Sequence, residues 1–80
     1  MQPKSLFSIS EGDSAVIGFL DASGMTRRRL LDLGFTPGAH VTCLFSAPSG
    51  NPRAYMVRGS VIAIRNSDAD SVHLAENLEV

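Results

Sequence analysis

The chain has 80 residues, 44% of them hydrophobic, and a formal net charge of -1, a composition that excludes a disordered polyelectrolyte and fits a small globular domain. Its one cysteine, Cys43, can form no internal disulfide, so stability rests on a small apolar core and a reducing compartment is expected. No segment approaches the ~20 apolar residues of a membrane span, and no long apolar run follows Lys4 in the opening MQPKSLFSISEGD, so neither membrane insertion nor an export signal is expected.

Charge is unevenly placed. Residues 1–24 carry Lys4 against Glu11, Asp13 and Asp21, and residues 25–65 carry six arginines against Asp32, whereas residues 66–80 carry only Asp68, Asp70, Glu76 and Glu79. Such asymmetry marks either a recognition face or no more than dispersed surface charge, since the acidic ends can fold back beside the basic middle and neutralise it.

Along the chain, SAVIGFLD at residues 14–21 is rich in β-branched and aromatic residues after the turn-like EGD, which predicts a strand. Ser23 stands where it can cap a short helix, in which Leu30 and Leu33 share a face while Arg28 and Arg29 reach Asp32 at i+4 and i+3. Successive helical residues turn by about 100°, so Arg27, Arg28 and Arg29 cannot share one direction. Arg29, beside Leu30, is expected to lie along apolar surface with its head near Asp32, leaving Arg27 and Arg28 in solvent.

Gly34 follows the last periodic leucine, where a left-handed residue ends a helix, and Phe35 stands where a contact back to the last turn is expected. Pro37 and Gly38 then fit the central positions of a type II turn leading into AHVTCLF, a strand with Val41, Cys43 and Phe45 inward. APSGNP at residues 47–52 reads as an exposed hairpin loop. RAYMVRG and SVIAIRN read as two strands joined near Gly59, with Tyr55, Val57, Ile62 and Ile64 inward. SDAD is a turn or a single helical turn, SVHL a last strand with Val72 and Leu74 inward, and residues 75–80 a tail from which Leu78 docks or does not. About five short strands and one helix, with no repeat, are most economically closed into a small barrel that removes sheet edges from water.

RRLLDLGFTPG at residues 28–38, the loop at 47–52, VRG at 57–59 and IAIR at 62–65 together resemble the bacterial ferrous-iron transport protein A (FeoA) family, over roughly residues 6–74. The resemblance implies one mainly β domain across residues 1–80: an SH3-like β-barrel with a helical insertion after the first strand and a tail at 75–80. It implies a cytoplasmic accessory, peripheral to the inner membrane through its partner, the ferrous-iron transporter FeoB, whose G-protein domain lies on the cytoplasmic side. The same barrel is similar to the C-terminal domain of some iron-dependent repressors, which keeps a stand-alone regulator in view. Ser49 and Arg53 stand where the family often has apolar residues, so a contact surface built on that loop differs here.

Other chemistries find little support. His40, Cys43 and His73 are the soft metal ligands, but they lack metal-site spacing, and His40 and Cys43 fall on opposite faces of a strand; no metal or other cofactor is expected. The carboxylates sit singly in turns and neither histidine has a catalytic partner at a suggestive spacing, so no enzyme is expected. GFTPG ends a helix instead of opening one and cradles no phosphate. Nucleic-acid binding through the arginine-rich middle is the alternative; against it, Phe19, Phe35, Phe45 and Tyr55 are all assigned to the core, which leaves no stacking platform. A proline-peptide groove is disfavoured by the lack of Trp and the single Tyr. The expected partner-binding residues are Arg27, Arg28, Ser49, Asn51 and Arg53, with Arg29, Leu30, Leu33, Gly34, Pro37, Gly38 and Gly59 structural.

Overall fold

Short alternating segments separated by tight turns pair most readily with their sequence neighbours, and here they form one antiparallel sheet in which the first and last strands also pair. Its strands are β1 (Ser14–Leu20), β2 (His40–Ser46), β3 (Arg53–Val57), β4 (Ser60–Ile64) and β5 (Val72–Leu74), ordered β4-β3-β2-β1-β5. The computed structural model describes residues 4–75, so the expectation for Leu78 lies outside the described residues. Helix α1 (Gly24–Leu33) joins β1 to β2, and the single turn α2 (Asn66–Ala69) joins β4 to β5. The expected SH3-like layout, with its helix after the first strand, is present.

The inner face of the sheet packs on Leu30 of α1, Phe35, Ala69 of α2 and Leu6, with Ile17, Val41, Cys43, Tyr55, Val57, Ile64, Val72 and Leu74 buried from the strands. Leu33 and Ile62 pack partly buried against this core. The helix exit follows the expected chemistry. Gly34 holds φ 112, its amide bonds Leu31 O at 3.0 Å, and the Phe35 amide bonds Leu30 O at 3.0 Å, which plants the Phe35 ring edge-on to Tyr55. Pro37 and Gly38 (φ 90) make the type II turn, closed by the Ala39 amide on Thr36 O at 3.0 Å. Arg58 (φ 50) and Gly59 (φ 81) make the two-residue β3–β4 hairpin turn.

Four expectations are corrected. The β1–β5 register shifts between Ile17 and Phe19, so Leu20 packs on the core and Phe19 turns outward. The β2–β3 register shifts between Cys43 and Phe45, which sends Phe45 to the outer face, 57% exposed. Ser23 occupies the N-cap position without a side-chain hydrogen bond; Gly24 enters at φ 61, so the first turn lacks the geometry in which a cap hydroxyl meets the second or third helical amide. The barrel is also open: β4 and β5 are the two outer strands and do not pair. The outer edge of β5 is instead covered by the N-terminal segment, through a bridge between Ser5 and His73 and the Leu74 amide on Lys4 O at 2.7 Å. Among the described residues no backbone hydrogen bond reaches the outer edge of β4.

Candidate partner-binding surface

Helix α1 presents its arginines in different directions, as its pitch requires. Arg27 and Arg28 are exposed and line a shallow hollow with Gly24, Leu31 and Asp32. Arg29 does not pair with Asp32. Its Nη2 donates to Asp68 Oδ2 of α2 at 2.8 Å, a carboxylate whose side chain is 19% exposed. The less hydrated partner wins, since an exposed carboxylate one turn away offers weak attraction in water.

The β2–β3 loop is pinned from within. Ser49 Oγ donates to Asn51 O at 2.9 Å, the Asn66 amide donates to Asn51 Oδ1 at 3.0 Å, and Asn66 Nδ2 donates to Gly50 O at 2.8 Å. Ser49 and Asn51 are exposed. Arg53 is half-buried: its Nη1 donates to Phe7 O at 3.2 Å and Ile9 O at 2.8 Å, and its guanidinium lies 5.1 Å from the Phe7 ring centre. Among the described residues no hydrogen bond or ion pair joins Arg27 or Arg28 to Ser49, Asn51 or Arg53.

Between α1 and β4 runs a groove of about 450 Å³, walled by Thr26, Arg29 and Leu33 on one side and Ile62, Ala63 and Ile64 on the other, with Arg65 and Asp68 at its end. At the entrance to β4, Arg58 Nη2 donates to Thr36 Oγ1 at 2.7 Å and ties the hairpin to the helix exit. The outer face of the same strands is apolar. Val61 lies opposite Met56, Met56 opposite Thr42, and Phe45 opposite Ala54. Sequence reasoning missed this outer row, because only the register shift in β2 brings Phe45 onto it.

It also missed a cluster at the other edge. Phe19 stacks on His73 with ring centres 4.6 Å apart, and His73 Nε2 lies 3.7 Å from Asp21 Oδ2. His40 is exposed while Cys43 is buried, as their spacing predicted. Burial pushes the Cys43 thiol above its usual range, with Glu11 and Asp13 adding to the rise and Arg53 opposing it, so the thiol is held protonated at neutral pH. Burial likewise raises the Tyr55 phenol. Among the described residues its Oη has no hydrogen-bond partner, although Arg53 lies close enough to oppose that rise. Among the described residues no three His, Cys, Asp or Glu side chains converge on one point. What the fold gathers instead is cations, a strand edge and apolar side chains, the means of holding another surface.

The FeoA domain family model matches residues 4–76. A Fe(2+) transport protein A/Fe(2+) transporter FeoB fusion protein of Porphyromonas gingivalis is 30% identical over 69 residues, which is 86% of this chain and 8% of that protein. The chain thus spans under a tenth of the length of this curated relative. Among solved structures, a FeoA-like protein of Clostridium acetobutylicum shares the fold at a TM-score of 0.85 and 22% identity, covering 100% of this chain and 93% of that one. The zinc-complexed FeoA of Stenotrophomonas maltophilia, described as an SH3 domain protein, matches at a TM-score of 0.79 and 29% identity over 89% of this chain and 88% of that one. The sheet order, the inserted helix and this family match agree: the chain belongs to the FeoA family.

Proposed function

We propose that this protein is a non-enzymatic, cytoplasmic accessory of ferrous-iron uptake that works by touching the cytoplasmic region of a FeoB-type transporter. The family is tied to ferrous-iron transport, and the observation that carries the finer reading is the Porphyromonas gingivalis protein, in which a segment like this one is fused to the transporter. Covalent joining raises the effective concentration of one module beside the other to roughly millimolar, which is useful when the two act in contact. The surface supports the same reading. Arg27 and Arg28 are exposed, and no helix among the described residues is long and apolar enough to cross a membrane, so the transporter would be reached from the aqueous side.

The exposed rings of Phe7, Phe19 and Phe45 favour a second reading, nucleic-acid binding, since bases stack on such rings. Two of the three already spend a face, Phe7 under Arg53 and Phe19 on His73, which weakens it. One experiment separates the readings: titration of the purified chain with the transporter's isolated cytoplasmic region and, separately, with single- and double-stranded DNA. The accessory reading expects saturable binding to the protein, weakened by Arg27→Glu with Arg28→Glu while stability stays within about 0.5 kcal/mol of the original. Binding to DNA that falls steeply with salt, with no affinity for the transporter region, would replace it.

A further inference from the structure

The ladder between β3 and β4 fixes what the outer edge of β4 offers. A two-residue turn makes its flanking residues, Val57 and Ser60, a hydrogen-bonded pair, and such pairs recur at Tyr55 with Ile62 and at Arg53 with Ile64. The N–H and C=O groups of Val61 and Ala63 therefore point away from β3, toward the edge that no described backbone group reaches. That edge borders the groove whose far wall is Thr26, Arg29 and Leu33. A buried edge without partners would be costly, and an exposed one is a template for another chain.

The charge around this edge has one sign. Arg58 stands at the start of β4, Arg65 at its end and Arg29 across the groove, and among the described residues Asp68 is the single carboxylate lining it. Arg29 occupies Asp68, and among the described residues neither Arg58 nor Arg65 has a carboxylate within ion-pair distance. The incoming group must therefore bring donors and acceptors in strand spacing together with negative charge. We propose that the edge of β4 receives an extended, acidic segment of the protein partner as an added strand. Its backbone pairs with Val61 and Ala63, an apolar side chain enters the groove against Leu33 and Ile62, and its carboxylates meet Arg65 and Arg58. Main-chain pairing supplies affinity and the flanking guanidiniums supply polarity, as in other strand-addition complexes. This rests on the reading that the protein acts by contact with the transporter, and names the place of contact.

The test uses the full chain, isotope-labelled, with the transporter's isolated cytoplasmic region as the probe. Amide exchange at Val61 and Ala63 should slow at least about tenfold in the complex. Ala63→Pro removes an outward N–H that β3 does not use, at an edge where proline is tolerated, and should weaken binding at least about tenfold with the amide spectrum otherwise preserved. Should that variant fail to fold, Arg65→Glu and the exchange measurement decide. Binding that leaves both amides exchanging as in the free chain, or that Ala63→Pro and Arg65→Glu do not disturb, overturns this inference and leaves the accessory reading standing. Failure of the unmodified chain to bind the transporter region removes both.

Discussion

Replacing Gly34 by valine tests whether the helix stop is as tightly determined as its geometry indicates. Gly34 is buried at φ 112 and ψ 1, well beyond the left-handed well near +57° that asparagine can visit, so any side chain there is strained. A Cβ at this position would meet Arg58 Cδ at 3.4 Å and Cγ at 3.6 Å, ordinary contact with the side chain that bonds Thr36 Oγ1, so the cost is chiefly backbone strain. Backbone strain of this kind costs about 1 to 3 kcal/mol, and the β-branch places Gly34→Val toward the upper end. A domain this small has about 5 kcal/mol in total, and each kcal/mol moves its melting temperature by about 4 to 8 °C, so the variant should melt at least about 8 °C lower. Gly12→Ala is the control: φ 90 with nothing near the added Cβ, which isolates strain from contact. Thermal and urea denaturation followed by circular dichroism measure both. If Gly34→Val melts within about 2 °C of the unmodified protein, or costs less than Gly12→Ala, the left-handed stop is not what holds α1 against Phe35.

Two further outcomes follow from side chains named above. Arg29→Ala and Asp68→Asn should each cost about 0.5 to 1 kcal/mol, with a measurable coupling between the two sites and none between Arg29 and Asp32 in double-mutant cycles. Stability should fall as pH rises above the ordinary values of 9.0 for Cys43 and 10.0 for Tyr55: both groups lose protons more readily in the unfolded chain, so the unfolded state binds fewer protons there and gains on the native one. Urea midpoints between about pH 8 and about pH 10.5 check the sign, and Tyr55→Phe should flatten the decline.

The elements read correctly from sequence are those whose chemistry is local. Gly34, Pro37 and Gly38 act within a few residues of themselves, and the helix exit and type II turn formed where their conformational preferences place them. The alternation held in β5 and at Tyr55 and Val57 of β3, because the extra residue of each shifted ladder lies in the partner strand, β1 or β2. Strict alternation failed at Phe19 and Phe45, where an extra residue in one strand flips everything beyond it. The first flip had a signal. Gly18 interrupts the β1 pattern, and a Cβ there would lie 3.0 Å from the Ala75 amide nitrogen, a close approach that a strand glycine can mark. The second had none in the residues themselves. Arg29 pairs with a carboxylate 39 residues away, which no helical spacing can disclose, and the free edge of β4 exists only once the strand order is known.

That order also resolves how a chain of net charge -1 keeps a basic face. Among the described residues the carboxylates lie away from Arg27 and Arg28: Glu11 Oε2 accepts the Ser46 amide at 3.0 Å, Asp13 Oδ2 accepts the Ser10 amide at 3.2 Å, Asp21 lies beside His73, and none is within ion-pair distance of either arginine. Only Asp68 reaches an arginine among the described residues. Arg27 and Arg28 therefore keep their charge in solvent, where it acts over about 10 Å at 0.1 M salt, whereas the β4 edge acts only at contact. The two parts of the proposed interface should then separate kinetically. Reversing Arg27 and Arg28 to glutamate should lower the association rate with the transporter region, most strongly at low salt, and leave dissociation nearly unchanged. Ala63→Pro should do the reverse, speeding dissociation at an unaltered association rate. Stopped-flow mixing at two salt concentrations distinguishes them. If both substitutions moved the same rate constant, steering and strand pairing would not be separate functions of these two surfaces.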